Sequence, residues 1–234
     1  KRAYFEYTVS GLGLPLGVTG LYLNRICGGI AFGPPDELPQ EIRGMFDNGT
    51  RLQLGVTMVG QAGGRIIRAG VDIWIDITDW DWAFEGNVTI LNGVMSGNIV
   101  AALTSKGFYG SFRFSLTFVR GGVQVYVFKK GRKTLVSGTG YLQFGISRGS
   151  ILNFSFRIWP FKRVYVRVPS RHYWLPKINA EFGLFRKSSR DISGFKGWVK
   201  VPVLGTVGIF LPSRGRPSFT NINQYKLYKP DWAR

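Results

Sequence analysis

Hydrophobic and polar residues alternate with a period of two along most of the chain. In residues 111–118, apolar side chains alternate with Ser, Thr and Arg113, and residues 151–158 and 163–168 follow the same rule. Successive side chains of a strand point to opposite faces of a sheet. The alternation therefore predicts β-strands with one apolar and one wet face.

Short turns rich in glycine separate these alternating runs. The clearest turns lie at residues 47–49, 61–64, 92–93, 120–122 and 130–132. Glycine readily adopts the positive φ angles that tight hairpin turns require. The spacing predicts an all-β antiparallel meander of about 12–16 strands. Such a meander can form a sandwich, a curled sheet or an open barrel, and the pattern leaves these three open.

Helical periodicity is scarce. Residues 36–46 form the best candidate, because acidic residues come first and Pro39 stands near the first turn. We therefore expect at most one or two short helices.

One internal repeat is visible. The sequence Gly107-Phe108-Tyr109-Gly110 is echoed by Gly194-Phe195-Lys196-Gly197, and a glycine turn with a second strand follows each copy. We interpret the repeat as a duplicated hairpin.

Charge is distributed unevenly. The chain holds 31 Lys and Arg against 13 Asp and Glu, but residues 1–85 hold 7 basic and 10 acidic residues. Residues 86–180 hold 14 basic residues and no acidic one. We therefore distinguish a mildly acidic region, residues 1–85, from a strongly basic one, residues 86–234, and expect the two to be continuous within one domain.

A basic stretch without carboxylates indicates an anionic partner or an acidic protein surface. The candidate residues for such contacts are Arg113, Lys129, Lys130, Arg132, Lys133, Arg157, Arg163 and Arg167.

Catalytic motifs are not convincing. Residues 145–149 match the Gly-x-Ser-x-Gly pattern, but a strand follows where the nucleophile elbow requires a helix. His172 is the only histidine and Cys27 the only cysteine, so the spacing of a zinc site does not occur. We predict no enzyme, no catalytic residue and no cofactor.

An acidic and aromatic group near residue 80 is the exception. Asp76, Asp79 and Asp81 are interleaved with Trp80. Carboxylates beside an indole platform suit sugar binding, and this acid spacing could hold calcium. The alternative is a solvated strand and turn whose acids pair with basic residues.

These features favour a non-enzymatic structural module of a larger assembly, which binds protein neighbours through basic and aromatic faces. Tyr225, Tyr228 and Trp232 are the candidate interface residues. The alternatives are a protein that binds a polyanion, such as nucleic acid, anionic lipid or acidic glycan, and a transmembrane β-barrel.

Three glycosylation triplets bear on the cellular location of the protein. Asn48, Asn87 and Asn153 each begin an Asn-x-Ser/Thr triplet. The triplets favour a secreted or cell-surface protein.

Overall fold

The computed structural model describes residues 3–16, 20–60, 67–147, 151–156, 164–169, 172–202 and 204–233. The strands of this part of the chain are β1 (Ala3–Pro15), β2 (Leu21–Gly33), β3 (Gly49–Gly60), β4 (Ile67–Asp76), β5 (Trp82–Ile90), β6 (Met95–Thr104), β7 (Gly107–Ser115), β8 (Val119–Lys130), β9 (Lys133–Ser147), β10 (Ile151–Phe156), β11 (Val164–Pro169), β12 (His172–Trp174), β13 (Ile178–Lys187), β14 (Arg190–Val201), β15 (Gly205–Pro212) and β16 (Lys226–Leu227). The predicted all-β meander is confirmed. Among these residues, no helix has the length and apolarity needed to span a bilayer.

The main sheet is an open antiparallel sheet of 14 strands. Strands β1 to β9 lie in sequence order, and β13, β14 and β15 continue the sheet. The short strands β12 and β16 pair with β9 and β13, while β10 and β11 form a separate hairpin. In the described residues β1 and β15 are the two edges and do not pair with each other.

The helix predicted at residues 36–46 is replaced by successive tight turns, with a 3-10 turn at Arg43–Met45. The backbone hydrogen bonds run from residue i+3 to residue i, as in Ile42 N to Pro39 O at 3.0 Å. Prolines at 34, 35 and 39 lack the amide hydrogen that a regular helix would use. This connection lies flat on the sheet and buries Leu38, Ile42 and Met45.

The connection between β2 and β3 and the C-terminal segment after β15 pack on the same side of the sheet, which we call the covered face. The larger core there consists of Leu38, Ile42, Met45, Phe46, Trp74, Ala83, Val100, Ala102, Tyr109, Tyr126 and Phe128, with Trp232 packed against them. A second core joins Phe185, Phe210, Ile222 and Tyr225.

The opposite side of the sheet presents long rows of apolar residues. Strand register places one row across all twelve long strands, and this row is Tyr7, Gly28, Leu54, Ile73, Phe84, Ala101, Gly110, Val125, Gly138, Phe182, Phe195 and Leu211. The next row is Val9, Ile26, Val56, Val71, Gly86, Ile99, Phe112, Val123, Gly140, Ala180, Gly197 and Ile209.

Two outer rows continue this pattern. One contains Phe5, Ile30, Leu52, Ile75, Trp82, Leu103, Phe108, Val127 and Val136. The other contains Leu23, Met58, Ala69, Val88, Gly97, Phe114, Gly121, Leu142, Ile178, Val199 and Val207. We call these four rows the apolar face.

Phenylalanine rings cover several glycines of the apolar face. The ring of Phe182 lies over its cross-strand partner Gly138, and the ring of Phe114 lies over Gly121. Within single strands, Phe108 covers Gly110 and Phe195 covers Gly197 in the same way. The two copies of the sequence repeat therefore share this local packing, in which glycine leaves room for a ring.

Gly138→Ala tests this packing. A Cβ at Gly138 would overlap the Phe182 ring and lie 3.0 Å from the carbonyl oxygen of Gln124. We expect a loss of about 1–2 kcal/mol in the free energy of unfolding, measured by denaturant titration, because overpacking forces the ring to move.

Gly140→Ala is the matched control for this prediction. It lies on the same strand and face, where the nearest atom to an added Cβ is Gly122 O at 3.3 Å. Equal stability losses in the two variants would contradict the role given to the ring.

Candidate functional site

The apolar face is exposed in this structure. Leu54, Val136 and Val207 are 52%, 50% and 53% exposed, although they stand in the middle of strands. The four rows contain no charged residue and no Ser, Thr, Asn or Gln. Contiguous apolar patches on soluble monomers rarely exceed a few hundred Å². A face that crosses twelve strands is therefore a candidate contact surface.

In β4 and β5 the apolar side chains extend one residue beyond the four rows, to Ile67 and Ile90. In β4, Ile67 and Ile75 are the outermost of five apolar side chains, which together span about 26 Å at the usual rise per residue. The equivalent set in β5 runs from Trp82 to Ile90. An apolar band of about 25 Å is typical of strands that contact the hydrocarbon layer of a membrane.

Most charged side chains in the middle of the sheet lie on the covered face, and several of them form ion pairs. Arg25 and Glu6 are 2.9 Å apart, and Lys196 and Glu181 are 2.6 Å apart. Arg113 reaches Glu41 of the connection between β2 and β3, at 2.7 Å. The covered face thus carries ion pairs, whereas the four rows of the apolar face carry no charge.

Arg51 is the most constrained charge of the covered face, with 1% of its surface exposed. Its guanidinium contacts Glu37 and lies 3.5 Å from Asp76. It also donates to the carbonyl oxygens of Gly33 and Pro34 at 2.7 and 2.9 Å. Arg51 therefore fastens the connection between β2 and β3 to the sheet.

A polar network lies beside the larger core. Gln124 donates to Tyr109 Oη at 3.2 Å, and its Oε1 accepts from Tyr126 Oη at 3.0 Å and from Thr139 at 3.2 Å. Burial raises the pKa of Tyr126 to about 12. An adjacent cavity of about 330 Å³ is lined by Gln124, Thr139, Tyr141, Asn179, Glu181, Trp198, Arg113 and Lys229 among others. Gln124 thus joins Tyr109, Tyr126 and Thr139 in one hydrogen-bonded group on the covered face.

Several predicted polyanion residues meet at one end of the sheet. Lys129, Lys130, Arg132 and Lys133 form the tip of the β8–β9 hairpin, where all four are exposed. Lys130 Nζ lies 3.3 Å from the centre of the Tyr228 ring and 3.7 Å from Asp191 in the neighbouring β13–β14 hairpin.

The other four predicted polyanion residues do not join this tip. Arg113 lies on the covered face with Glu41. Arg157 and Arg163 lie outside the described residues, and Arg167 is described only by the pairing of its backbone with Asn153.

The three predicted interface aromatics make intramolecular contacts. Tyr225 is buried and stacks on Phe210 at 3.8 Å between ring centres. Tyr228 donates to Asp191 at 2.7 Å, and Trp232 packs edge-on against Tyr109. These rings attach the C-terminal segment to the covered face, because each finds an aromatic or charged neighbour there.

The predicted sugar or calcium residues are divided between buried and exposed positions. Asp76 is buried beside Arg51 and accepts from the amide of Thr78, while buried Asp81 accepts from the amide of Ser105 at 3.1 Å. Burial raises the pKa of Asp81. Asp79 and Trp80 are exposed in the turn, and Trp80 has a φ of 58°. In the part of the chain that is described, no group of three or more His, Cys, Asp or Glu side chains could hold a metal ion.

Sequence reasoning missed the apolar face as a unit. Each strand showed its alternation, but only strand register reveals that the apolar sides coincide. Comparison of the chain with protein families, curated proteins and solved structures gives no match. Functional inference therefore depends on the geometry described above.

Proposed function

We propose that the protein is a membrane-associated β-sheet protein whose apolar face contacts the acyl chains of a lipid bilayer. The observation that carries the proposal is the segregation of the sheet. Its four apolar rows contain no polar side chain other than Tyr7 and Trp82, whose rings are amphipathic. Hydrocarbon offers no hydrogen-bond partner, so only such a face can contact it without a large desolvation cost.

The composition of the face favours lipid over a second protein surface. Protein interfaces carry about one hydrogen bond per 100–200 Å² and a polar rim. The apolar face offers hardly any hydrogen-bonding side chain, and its phenylalanines lie over glycines such as Gly138 and Gly121. Rings in this position fill the spaces that interdigitating side chains of a packed sheet would occupy. Mobile acyl chains need no such spaces.

The proposal has a consequence for the edges of the sheet. Unpaired backbone groups of an edge strand cost several kcal/mol in hydrocarbon. The outer edge of β15 already exchanges two hydrogen bonds with Ser218, at 2.8 and 2.9 Å. The outer edge of β1 therefore requires a partner strand in the membrane, from this chain or from a neighbour.

A dye placed on either face tests the proposal. On a Cys27→Ser background, Ile99→Cys positions an environment-sensitive dye on the apolar face, where Ile99 is 42% exposed. Asn87→Cys positions it at an exposed site on the covered face. In phosphatidylcholine vesicles we expect a blue shift, and quenching by brominated acyl chains, at residue 99 alone.

Equal quenching at both positions, or none at residue 99, would contradict the proposal. Protection of residue 99 in a protein oligomer without lipid would instead favour the second candidate function. That candidate is a structural module that binds protein neighbours. It is favoured by the unpaired edge of β1, on which Phe5 and Tyr7 are 65% and 77% exposed.

A further inference from the structure

The two ends of the sheet differ in charge. At one end, the strand tips from β6 to β14 carry Lys106, Lys129, Lys130, Arg132, Lys133, Lys187 and Arg190, which we call the basic rim. At the other end, the β5–β6 and β7–β8 turns carry no charged residue. Phe118 and Leu204 in the turns of that end are 60% and 76% exposed. The basic residues of the β6–β14 tips are thus concentrated at one end, and the β5–β6 and β7–β8 turns at the other end are uncharged.

The basic rim continues the apolar face directly. Along β8, Val123, Val125 and Val127 point to the apolar face, and alternation places Lys129 next in the same column. Residues two apart on a strand are separated by about 6.6 Å. An acyl chain lying along this column would thus bring its headgroup to Lys129.

The hairpin tips of the rim are held together by the C-terminal segment. Tyr228 lies between them, because its ring contacts Lys130 Nζ and its hydroxyl donates to Asp191 at 2.7 Å. Beside it, a cavity of about 290 Å³ is lined by Lys106, Lys129, Lys130, Lys229 and aromatic residues, with Asp231 as the only acidic group in the lining. This is the chemistry that recognises a phosphate ester.

We infer that the basic rim binds the phosphate headgroups of anionic lipids and thereby fixes which end of the sheet faces an anionic membrane surface. The inference rests on the proposed function, since it assumes that the apolar face contacts acyl chains. It names the lipid class, and it places the uncharged β5–β6 and β7–β8 turns at the end farther from the anionic surface.

Vesicle flotation tests the inference with a triple variant, Lys129→Gln, Arg132→Gln and Lys133→Gln. These three residues are exposed, and Lys130 is kept because it contacts Tyr228. The wild type should bind vesicles containing phosphatidylglycerol more tightly than vesicles of phosphatidylcholine alone. Each basic residue near an anionic surface contributes roughly a fivefold gain, so the triple variant should lose about a hundredfold of that preference at low salt.

The matched control removes three exposed charges from the other end, as Arg68→Gln, Lys177→Gln and Lys200→Gln. We expect this control to keep the preference for phosphatidylglycerol. The inference is overturned if phosphatidylglycerol has no effect on the wild type, or if both triple variants lose the preference equally.

The dye at residue 99 separates the two proposals. If the dye enters the acyl region of phosphatidylcholine vesicles but phosphatidylglycerol changes nothing, the headgroup inference fails alone. If the dye never enters, the proposed function fails. Any binding to phosphatidylglycerol is then electrostatic adsorption without acyl contact, and this result overturns the inference as well.

Discussion

Replacing Arg51 by methionine should cost about 3–5 kcal/mol of unfolding free energy, because breaking a buried ion pair leaves uncompensated charge. The substitution would leave Glu37 and Asp76, both nearly inaccessible to water, without the guanidinium that pairs with them. It would also remove the donors that satisfy the carbonyl oxygens of Gly33 and Pro34. Denaturant titration followed by circular dichroism measures the loss.

Arg25→Met is the control for the Arg51 prediction. Arg25 also pairs with a carboxylate on the covered face, but its side chain is 43% exposed, so its loss should cost about 1 kcal/mol or less. Adding Glu37→Gln and Asp76→Asn to Arg51→Met should restore part of the stability by removing the stranded charges. A stable Arg51→Met variant, or one that the added substitutions weaken further, would show that Arg51 does not fasten the connection.

Local patterns in the sequence were sufficient to predict the strands. The alternation around Phe112 and Phe114 predicts β7. The glycine turn predicted at residues 130–132 marks the end of β8, but β8 runs through the turn predicted at residues 120–122. Gly121 and Gly122 lie within the strand, where Gly121 leaves room for the Phe114 ring. Glycine therefore signals close packing in this protein as often as it signals a turn.

Features that depend on distant residues could not be predicted in this way. Nothing in the sequence near residue 51 shows that Arg51 meets Glu37 across a connection. The helix predicted at residues 36–46 is replaced by tight turns, since prolines there remove helical hydrogen bonds, and only the structure shows that these turns cover the sheet. Tyr225 and Trp232 are predicted as interface residues, and nothing near them in the sequence shows that Phe210 stacks on the first or that Tyr109 contacts the second.

The apolar face also depends on contacts between residues that are distant in the sequence. Alternation fixes which residues share a side within one strand, but it does not fix which side of the next strand adjoins them. A register shift of one residue would have placed Glu85 rather than Phe84 beside Ile73 and destroyed the segregation. That two rows remain apolar across twelve strands, and the outer two across nine and eleven, is thus a property of the whole sheet, and it carries the membrane proposal.

Val88→Arg should abolish most insertion into phosphatidylcholine vesicles while leaving the fold intact. Val88 lies on the apolar face and is 37% exposed, so an arginine there can extend its guanidinium into solvent in the absence of lipid. In hydrocarbon, an arginine on a lipid-facing strand costs about 2–4 kcal/mol at the bilayer midplane and less toward the surface. Val88 stands two residues from the middle of β5, so the cost should fall near the lower end of this range. We therefore expect about a tenfold or greater loss of insertion, measured by flotation.

Asn87→Arg provides a closely matched control, because Asn87 precedes Val88 on the same strand but points to the covered face, where it is exposed. The two variants carry the same added charge at adjacent positions, so net charge cannot explain a difference between them. Insertion of Asn87→Arg should equal that of the wild type. If both variants insert as well as the wild type, β5 does not present its apolar side to lipid. If both lose insertion equally, the cause is the added charge or a folding defect. Circular dichroism of each variant in solution separates these two causes.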